Sequence, residues 1–306
     1  MITISAPGKV ILMGEHSVVY GKPALVAAID KRLYVTIEPS LQFELGSEDH
    51  IEHILSLFQK TFNKDIKNLK ISLKSEIPEG KHIGSSAALA VALIGALMRH
   101  ILKIWDPLKI NELAYKAEKK THSNPSGADN TASCFGGLVW YRKEFEFLKS
   151  IWKLPIASYK IPQFVLIDTG KPRESTAQMV RFVAQLYGKK PKYLEEIFTN
   201  QEIQTKRLLI SLKEANLNDL KKTIMIGERN LEKIGVVSNS SKLLIRKIEK
   251  IGGAAKICGG GGKTGPTGII LAYHEDISKL INLAQKNHLP AFITKLGEEG
   301  VRVENG

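Results

Sequence analysis

The sequence predicts an α+β protein with two lobes, and three observations support this. Its 306 residues exceed the size at which a single hydrophobic core usually stops growing. Short apolar runs typical of strands are mixed with longer amphipathic patterns typical of helices, without an internal repeat. The composition changes across residues 149–161, which contain Pro155. We therefore expect an N-terminal domain over residues 1–155 and a C-terminal domain over residues 156–306.

The first half opens with a pattern of strands. Alternating or β-branched residues predict strands at 2–5, 24–29, 33–37 and 69–73. Pro7, Gly8 and Gly14 predict turns around a short apolar strand between them. Helical periodicity then predicts helices at 51–61, 85–102 and 110–120, and a glycine turn and strand at 135–141.

The second half is predicted to be richer in helix. A strand at 164–167 precedes helical patterns at 176–186, 193–214, 218–234 and 240–251. The remaining predicted elements are short strands around a glycine-rich loop, with the second strand at 269–272, a helix at 277–287 and a strand at 291–295.

Composition restricts the class of protein. The formal net charge of +13 fits nucleic acid, a membrane surface or polyanionic small molecules. The lysines are spread along the whole chain without an arginine-rich arm, so nucleic-acid binding is weakly supported. Two cysteines are too few for a disulfide framework, and the chain starts without a signal-peptide pattern. The apolar run 88–98 is too short to cross a bilayer. We expect a cytoplasmic protein without a membrane partner.

A glycine-containing loop at 78–88, Pro-Glu-Gly-Lys-His-Ile-Gly-Ser-Ser-Ala-Ala, leads into the most apolar helical pattern. Glycine lets backbone N–H groups surround an anion, and the helix directs its positive end to the same place. Ser85 and Ser86 can cap the helix or offer a hydroxyl to a phosphate-bound metal ion. Taken alone, the loop equally fits an ordinary turn before a core helix.

Further glycine loops favour a phosphate site, because three such loops are more than folding requires. The Walker and dinucleotide-binding patterns are absent. The run Gly261-Gly262-Lys263-Thr264 resembles part of the Walker pattern, but it lies between predicted strands, so we discount it.

Several ionisable residues lie beside predicted turns. Lys9, Glu15 and His16 belong to the first glycine-containing block, and Glu118 lies near the end of a lysine-rich helix. Asp129 follows a polar segment, where it fits the cap of a helix starting at residue 130. Each of these residues, taken singly, also fits a solvated or paired surface position.

Together these segments carry a family resemblance. The blocks at 5–16, 78–88 and 256–262 stand in the order of the three motifs of the GHMP kinase superfamily, which the chain therefore resembles. The first block, continued to residue 25, and the segment 123–130 are similar to the mevalonate kinase family of archaeal type. The resemblance implies an N-terminal domain like ribosomal protein S5 domain 2 and a ferredoxin-like α+β C-terminal domain.

The resemblance also implies the chemistry. ATP would donate its γ-phosphoryl group to the 5-hydroxyl of mevalonate, with Mg²⁺ as cofactor, in a homodimer. Asp129 would accept the hydroxyl proton, with Lys9 beside it. Ser86 and Glu118 would bind Mg²⁺. Mevalonate would lie near Lys9, Glu15, His16, Asp129 and Thr176. The implied nucleotide site consists of Ser75, Gly80, Lys81, His82, Ile83, Gly84, Ser85 and Ser86.

Two departures from the family pattern stand out. His82 replaces a usual glycine of the second motif, and residues 263–267 are inserted after the third. Two alternatives stay open. One is another GHMP small-molecule kinase, such as a phosphomevalonate or homoserine kinase. The other is a non-catalytic nucleotide-binding or RNA-binding protein, which the joint presence of Lys9, Ser86, Glu118 and Asp129 makes less favoured.

Overall fold

A computed structural model describes residues 1–45, 49–121 and 125–304, and it combines helices and sheets as the sequence predicts. The strands within these ranges are β1 Ile2–Met13, β2 Ala24–Pro39, β3 Glu44–Leu45, β4 Leu69–Ser75, β5 Leu138–Lys143, β6 Lys149–Leu154, β7 Phe164–Asp168, β8 Ala254–Ile257, β9 Ile269–Tyr273, β10 Ala291–Thr294 and β11 Arg302–Glu304. The α-helices within them are α1 Asp49–Phe62, α2 Ser85–Leu97, α3 Pro107–Thr121, α4 Ala128–Phe135, α5 Thr176–Lys189, α6 Pro191–Glu214, α7 Leu217–Ile234, α8 Asn239–Lys250 and α9 Ile277–Lys286.

The first sheet is built around β2. Its strand order is β11-β1-β2-β4-β3. In addition, β5 pairs with β2, and β6 pairs with β5. The strands predicted at 24–29 and 33–37 form one strand, because β1 pairs with β2 on both sides of the polar residues between them. The first half of β2 also pairs with β5, and its second half with β4.

The prediction that Pro7 and Gly8 form a turn is wrong, because β1 continues through them. The pairing of β1 with β2 shifts register between Pro7 and Lys9, which is the signature of a β-bulge. At this bulge the backbone N–H of Lys9 donates to the carbonyl of Ile83, at 2.9 Å. A Cβ on Gly8 would lie 2.9 Å from the same carbonyl oxygen. The bulge therefore brings β1 against the glycine loop 80–84.

Helix α2 is the centre of the N-terminal core. Every residue from Ala87 to Leu97 is buried, and the helix continues as a π-helical turn over Met98–Leu102. The combined stretch Ser85–Leu102 is long and apolar enough to cross a membrane, but 67% of it is buried inside the protein. The prediction that the apolar helix is too short to cross a bilayer is wrong, because the helix does not end at Arg99. Its burial identifies it as a core helix.

The second sheet is antiparallel, with the order β10-β7-β9-β8. The apolar side chains of one face form a separate core with α5 to α9, and those of the other face join the core of the N-terminal half. Helix α5 begins with a capping box, in which Ser175 and Gln178 satisfy each other's backbone N–H groups. This cap fixes the start of α5, where Thr176 lies.

The end of the chain returns to the first sheet. Strand β11 pairs with β1, with Thr3 opposite Glu304. The buried Arg32 guanidinium holds the preceding segment, because it donates to the carbonyl oxygens of Glu299 and Gly300, at 2.8 and 2.7 Å. The division into domains 1–155 and 156–306 stays a prediction, and residues 302–304 pair across it.

A buried carboxyl connects α7 to the second sheet. Glu228 is fully buried, and its Oε2 accepts a hydrogen bond from the N–H of Ile257, at 3.0 Å. Its Oε1 has no hydrogen-bond partner within the described part of the chain. Burial raises the pKa of this carboxyl to about 8, and the Ile257 hydrogen bond opposes the shift. Between pH 4.5 and about 8, the Glu228 carboxyl therefore keeps a proton in the folded protein that it loses in the unfolded chain.

We expect this proton to make stability depend on pH. The stabilisation is complete below the unfolded pKa of 4.5 and is lost as the pH rises through about 8. Between these values Glu228 lowers the free energy of unfolding by up to about 1.4 kcal/mol per pH unit. Urea unfolding at roughly pH 5, 6.5 and 8 should show a smaller decline for Glu228→Gln than for the wild type. Glu214→Gln, at an exposed position, is the control. Equal declines in wild type and Glu228→Gln would contradict the prediction.

Candidate active site

A cavity between the two halves of the protein contains most of the ionisable residues that the sequence singled out. Lys9, Glu15, His16, Glu118 and Asp129 all line it. The other residues of its lining are Ile11, Val18, Val19, His82, Pro125, Ser126, Thr176, Ala177, Val180, Gly259 and Gly260. Strand β1, the loop 80–84, helices α3, α4 and α5 and the loop after β8 thus converge on one site.

Lys9 and Asp129 form an ion pair in this cavity. The Lys9 side chain is 1% exposed, and its Nζ lies 3.0 Å from Oδ2 of Asp129. The same ammonium donates to the carbonyl oxygen of His82, at 3.0 Å. The Asp129 side chain is 37% exposed, so the carboxylate is open to a ligand in the cavity. The pair therefore combines a proton acceptor with an adjacent positive charge.

The prediction that Asp129 caps a helix starting at residue 130 is wrong. Helix α4 starts at Ala128, and its N-cap is Gly127, at φ 88°. A Cβ on Gly127 would lie 2.7 Å from the hydroxyl of Tyr141, so the turn requires glycine. Asp129 lies in the first turn of α4, where the positive end of the helix favours a carboxylate. Residues 122–124, which include Ser123 and Asn124 of the segment that resembles the family, lie outside the described residues.

Glu118 is a second acid in the cavity. It lies on α3 and is 5% exposed. Burial raises the pKa of its carboxyl to about 8, and the negative charge of Asp129 adds to this shift, while Lys9 opposes it. Two carboxyls close enough to interact therefore share the site with one ammonium. A further cation between them would relieve both the burial cost and the repulsion.

The glycine loop precedes α2 and bends through left-handed backbone conformations. Gly80, His82 and Gly84 have φ of 67°, 67° and 83°. Helix α2 starts at Ser85, so the unpaired N–H groups of its first turn begin where the loop ends. The Oγ of Ser86 lies 3.1 Å from Nε2 of His50 on α1. Neither Ser85 nor Ser86 is among the described residues that line the cavity.

Three other residues of the predicted nucleotide site bond to groups of the protein itself. The hydroxyl of Ser75 bonds both backbone groups of Ile77 at the end of β4. Lys81 forms an ion pair with the buried Asp168 at the end of β7. Ile83 is buried, and its carbonyl accepts the Lys9 N–H described above. Their role toward a nucleotide stays a prediction.

Glu15 and His16 line the cavity beside β8 and the loop that follows it. Glu15 forms a buried ion pair with Lys256 of β8, whose ammonium also donates to the carbonyl oxygens of Ile11 and Ile257. Burial raises the pKa of Glu15, and Lys256 opposes the shift. Burial lowers the pKa of His16 to about 4. His16 is therefore neutral at pH 7, and its Nε2 donates to the carbonyl oxygen of Gly260, at 3.1 Å.

The sequence did not assign a role to Lys256, Ser126 or the Gly259-Gly260 turn. A single lysine among apolar residues in β8 was the available signal for Lys256. Thr176, at the start of α5, does line the cavity, and its hydroxyl lies 3.0 Å from Nδ1 of His82. Lys263, in the discounted Walker-like run, lies instead over the ring of Phe182, 4.3 Å from its centre.

Comparisons with known proteins show which family the chain is similar to. A family model described as the GHMP kinases N terminal domain matches residues 49–137. A mevalonate kinase of Thermococcus sibiricus is 32% identical, over 99% of this chain and 98% of its own length. One of Archaeoglobus fulgidus is also 32% identical, over 98% of this chain and 99% of its own length.

The fold of the chain is also similar to that of a solved mevalonate kinase. The crystal structure of L. major mevalonate kinase in complex with R-mevalonate superposes with a TM-score of 0.82 and covers 97% of this chain and 96% of that one, at 22% identity. Sequence similarity over nearly the whole length, together with this shared fold, shows that the chain belongs to the mevalonate kinase family of the GHMP kinases.

Proposed function

We propose that this chain transfers the γ-phosphoryl group of ATP to the primary 5-hydroxyl of (R)-mevalonate, giving 5-phosphomevalonate and ADP. The observation that carries the proposal is the Lys9–Asp129 ion pair, 3.0 Å long, in a cavity formed by both halves of the protein. Membership of the mevalonate kinase family supports the choice of substrate.

Asp129 is too weak a base to ionise an alcohol in advance. It can orient the hydroxyl and accept its proton late, as the new bond between oxygen and phosphorus forms and the bond from phosphorus to ADP breaks. The ammonium of Lys9 lies beside the accepting carboxylate and can stabilise negative charge on the transferring group. The two side chains thus divide the proton transfer and the charge stabilisation between them.

The glycine loop is the proposed site for the ATP phosphates. The backbone N–H groups of residues 80–86 and the positive end of α2 can donate to phosphate oxygens. Gly80 and Gly84, at φ 67° and 83°, allow the left-handed turns of this loop, and the side chain of Lys9 packs where a Cβ on Gly84 would lie.

The donor set fits Mg²⁺. Within the described ranges, no group of three or more His, Cys, Asp and Glu side chains is arranged to hold a metal ion. Mg²⁺ needs no such group, because it usually combines one or two protein oxygens with phosphates and water. The buried Glu118, whose pKa is raised next to Asp129, is suited to a cation, and we propose that Glu118 and Ser86 would hold it. When bound there, Mg²⁺ would supply positive charge to the phosphate groups of ATP.

We further propose that mevalonate lies against Glu15, His16 and Thr176, all of which line the cavity. We also propose a cytoplasmic homodimer that binds neither nucleic acid nor membrane. Cys134 and Cys258 are both free and buried, in keeping with a reducing compartment. Light scattering on the purified protein tests the dimer.

Substrate choice can be measured directly. We expect ADP release with ATP and (R)-mevalonate, and at most about one hundredth of that kcat/KM with phosphomevalonate or homoserine. A coupled assay for ADP measures all three. Preference for another alcohol would favour a different GHMP kinase. RNA affinity that falls with salt, without release of ADP, would favour the binding-protein alternative.

Replacing the proposed base should remove most of the turnover. We expect Asp129→Asn to lower kcat by about 10²- to 10⁴-fold, because the amide cannot accept the hydroxyl proton. The matched control is Asp65→Asn, since Asp65 also pairs with a lysine, Lys67, but at an exposed site. Near-full turnover of Asp129→Asn would contradict the role of Asp129.

The metal assignment has its own test. We expect Glu118→Gln to raise the Mg²⁺ concentration for half-maximal activity by about tenfold, because a neutral amide binds Mg²⁺ less well than a carboxylate. Glu112→Gln is the control on the same helix, where Glu112 forms exposed ion pairs with Lys109 and Lys116. An unchanged Mg²⁺ dependence of Glu118→Gln would remove Glu118 from the metal site.

A further inference from the structure

His82 occupies the position where the second motif of the family usually has glycine, and it keeps the backbone conformation of a glycine. Its φ is 67°, in the left-handed region that is unfavourable for residues with a Cβ. The conformation of the loop is thus retained while a side chain is added. This raises the question of what the imidazole does.

The imidazole fills a space that three glycines leave open in the loop between β8 and β9, residues 258–268, which we call the third loop. A Cβ on Gly259, Gly260 or Gly268 would lie 2.7, 3.3 or 3.0 Å from atoms of the His82 side chain. The ring nitrogen Nδ1 lies 3.0 Å from the hydroxyl of Thr176, at the start of α5. The side chain of His82 therefore joins the second glycine loop to the third loop and to α5.

The backbone carbonyl of His82 contacts a different part of the site, the Lys9–Asp129 ion pair. Its carbonyl oxygen accepts a hydrogen bond from the ammonium of Lys9, at 3.0 Å, and that ammonium lies 3.0 Å from Asp129. The neighbouring Lys81 is attached to the second half of the chain as well, because its carbonyl accepts the N–H of Ile269, at 3.3 Å, and its ammonium pairs with Asp168. The loop that orients Lys9 is thus held from outside the N-terminal sheet.

We propose that His82 is a positioning residue, whose side chain fixes the loop 80–84 against the third loop and Thr176 so that its carbonyl keeps Lys9 directed at Asp129. The proposal rests on the proposed kinase function for its catalytic consequence. The hydrogen bond to Thr176 and the packing against Gly259, Gly260 and Gly268 restrict rotation of the peptide group that holds Lys9. Without the side chain, the loop would keep the backbone hydrogen bond from Lys9 to Ile83 and the contacts of Lys81, but it would lose the attachment that fixes the peptide group of residue 82.

The catalytic test is to restore the glycine of the family. We expect His82→Gly to lower kcat by about tenfold or more, and to change KM for ATP and mevalonate by less than about threefold, because loosened alignment affects the transition state more than binding. His82→Asn should return kcat to within about threefold of the wild type, because asparagine tolerates positive φ and its amide can bond Thr176.

The matched control is His288→Gly. His288 is exposed, has φ 55° and follows α9, so this variant makes the same replacement in the same backbone conformation away from the cavity. Its kcat should stay within about twofold of the wild type. Full kcat in His82→Gly would overturn the proposal, and so would an equal loss in His82→Gly and His82→Asn.

A second readout does not depend on the substrate. Thermal unfolding of His82→Gly, Thr176→Val and the double variant should show coupling, because residues in contact give non-additive changes in stability. Additive shifts in Tm would overturn the bridge between His82 and Thr176. If the wild type releases no ADP with mevalonate, the proposed function fails, and this unfolding cycle still decides whether the bridge exists.

Discussion

The buried ammonium of Lys9 is the constraint on which the arrangement of the site depends. A charge at 1% exposure costs several kcal/mol unless partners replace the lost water. Its partners are the Asp129 carboxylate at the start of α4 and the His82 carbonyl in the glycine loop. Strand β1, the loop and α4 must therefore meet at one point. The glycine at position 84 serves the same requirement, since a Cβ there would lie 2.8 Å from Cγ of Lys9.

The acids in and beside the cavity outnumber the ammonium groups when all of them are ionised. With every group ionised, the three acids Glu15, Glu118 and Asp129 face the two ammoniums of Lys9 and Lys256, which leaves one net negative charge. His16 does not change this balance, because it is neutral. Burial raises the pKa of Glu118, and the negative charge of Asp129 adds to the shift. A cation bound beside Glu118 would offset negative charge at that point of the cavity.

Much of the fold was predictable because its signals are local. Helical periodicity, capping residues and glycine turns located the helices of the second half. Predictions failed where a partner strand overrode a local signal. Pro7 and Gly8 predict a turn, but pairing with β2 on both sides carries β1 through them as a bulge. Strand β11 has only three residues and exists because β1 offers it an edge.

The sequence by itself determined the order of the motifs, the family resemblance and the types of residue available for chemistry. It did so because glycines, helix caps and apolar periodicity act on neighbours in the chain. Only the tertiary structure decided that Lys9 meets Asp129, that Glu15 pairs with Lys256 and that His82 fits among the glycines of another loop. These contacts join segments more than a hundred residues apart, and packing of the two sheets and their helices, which no local pattern encodes, brings them together.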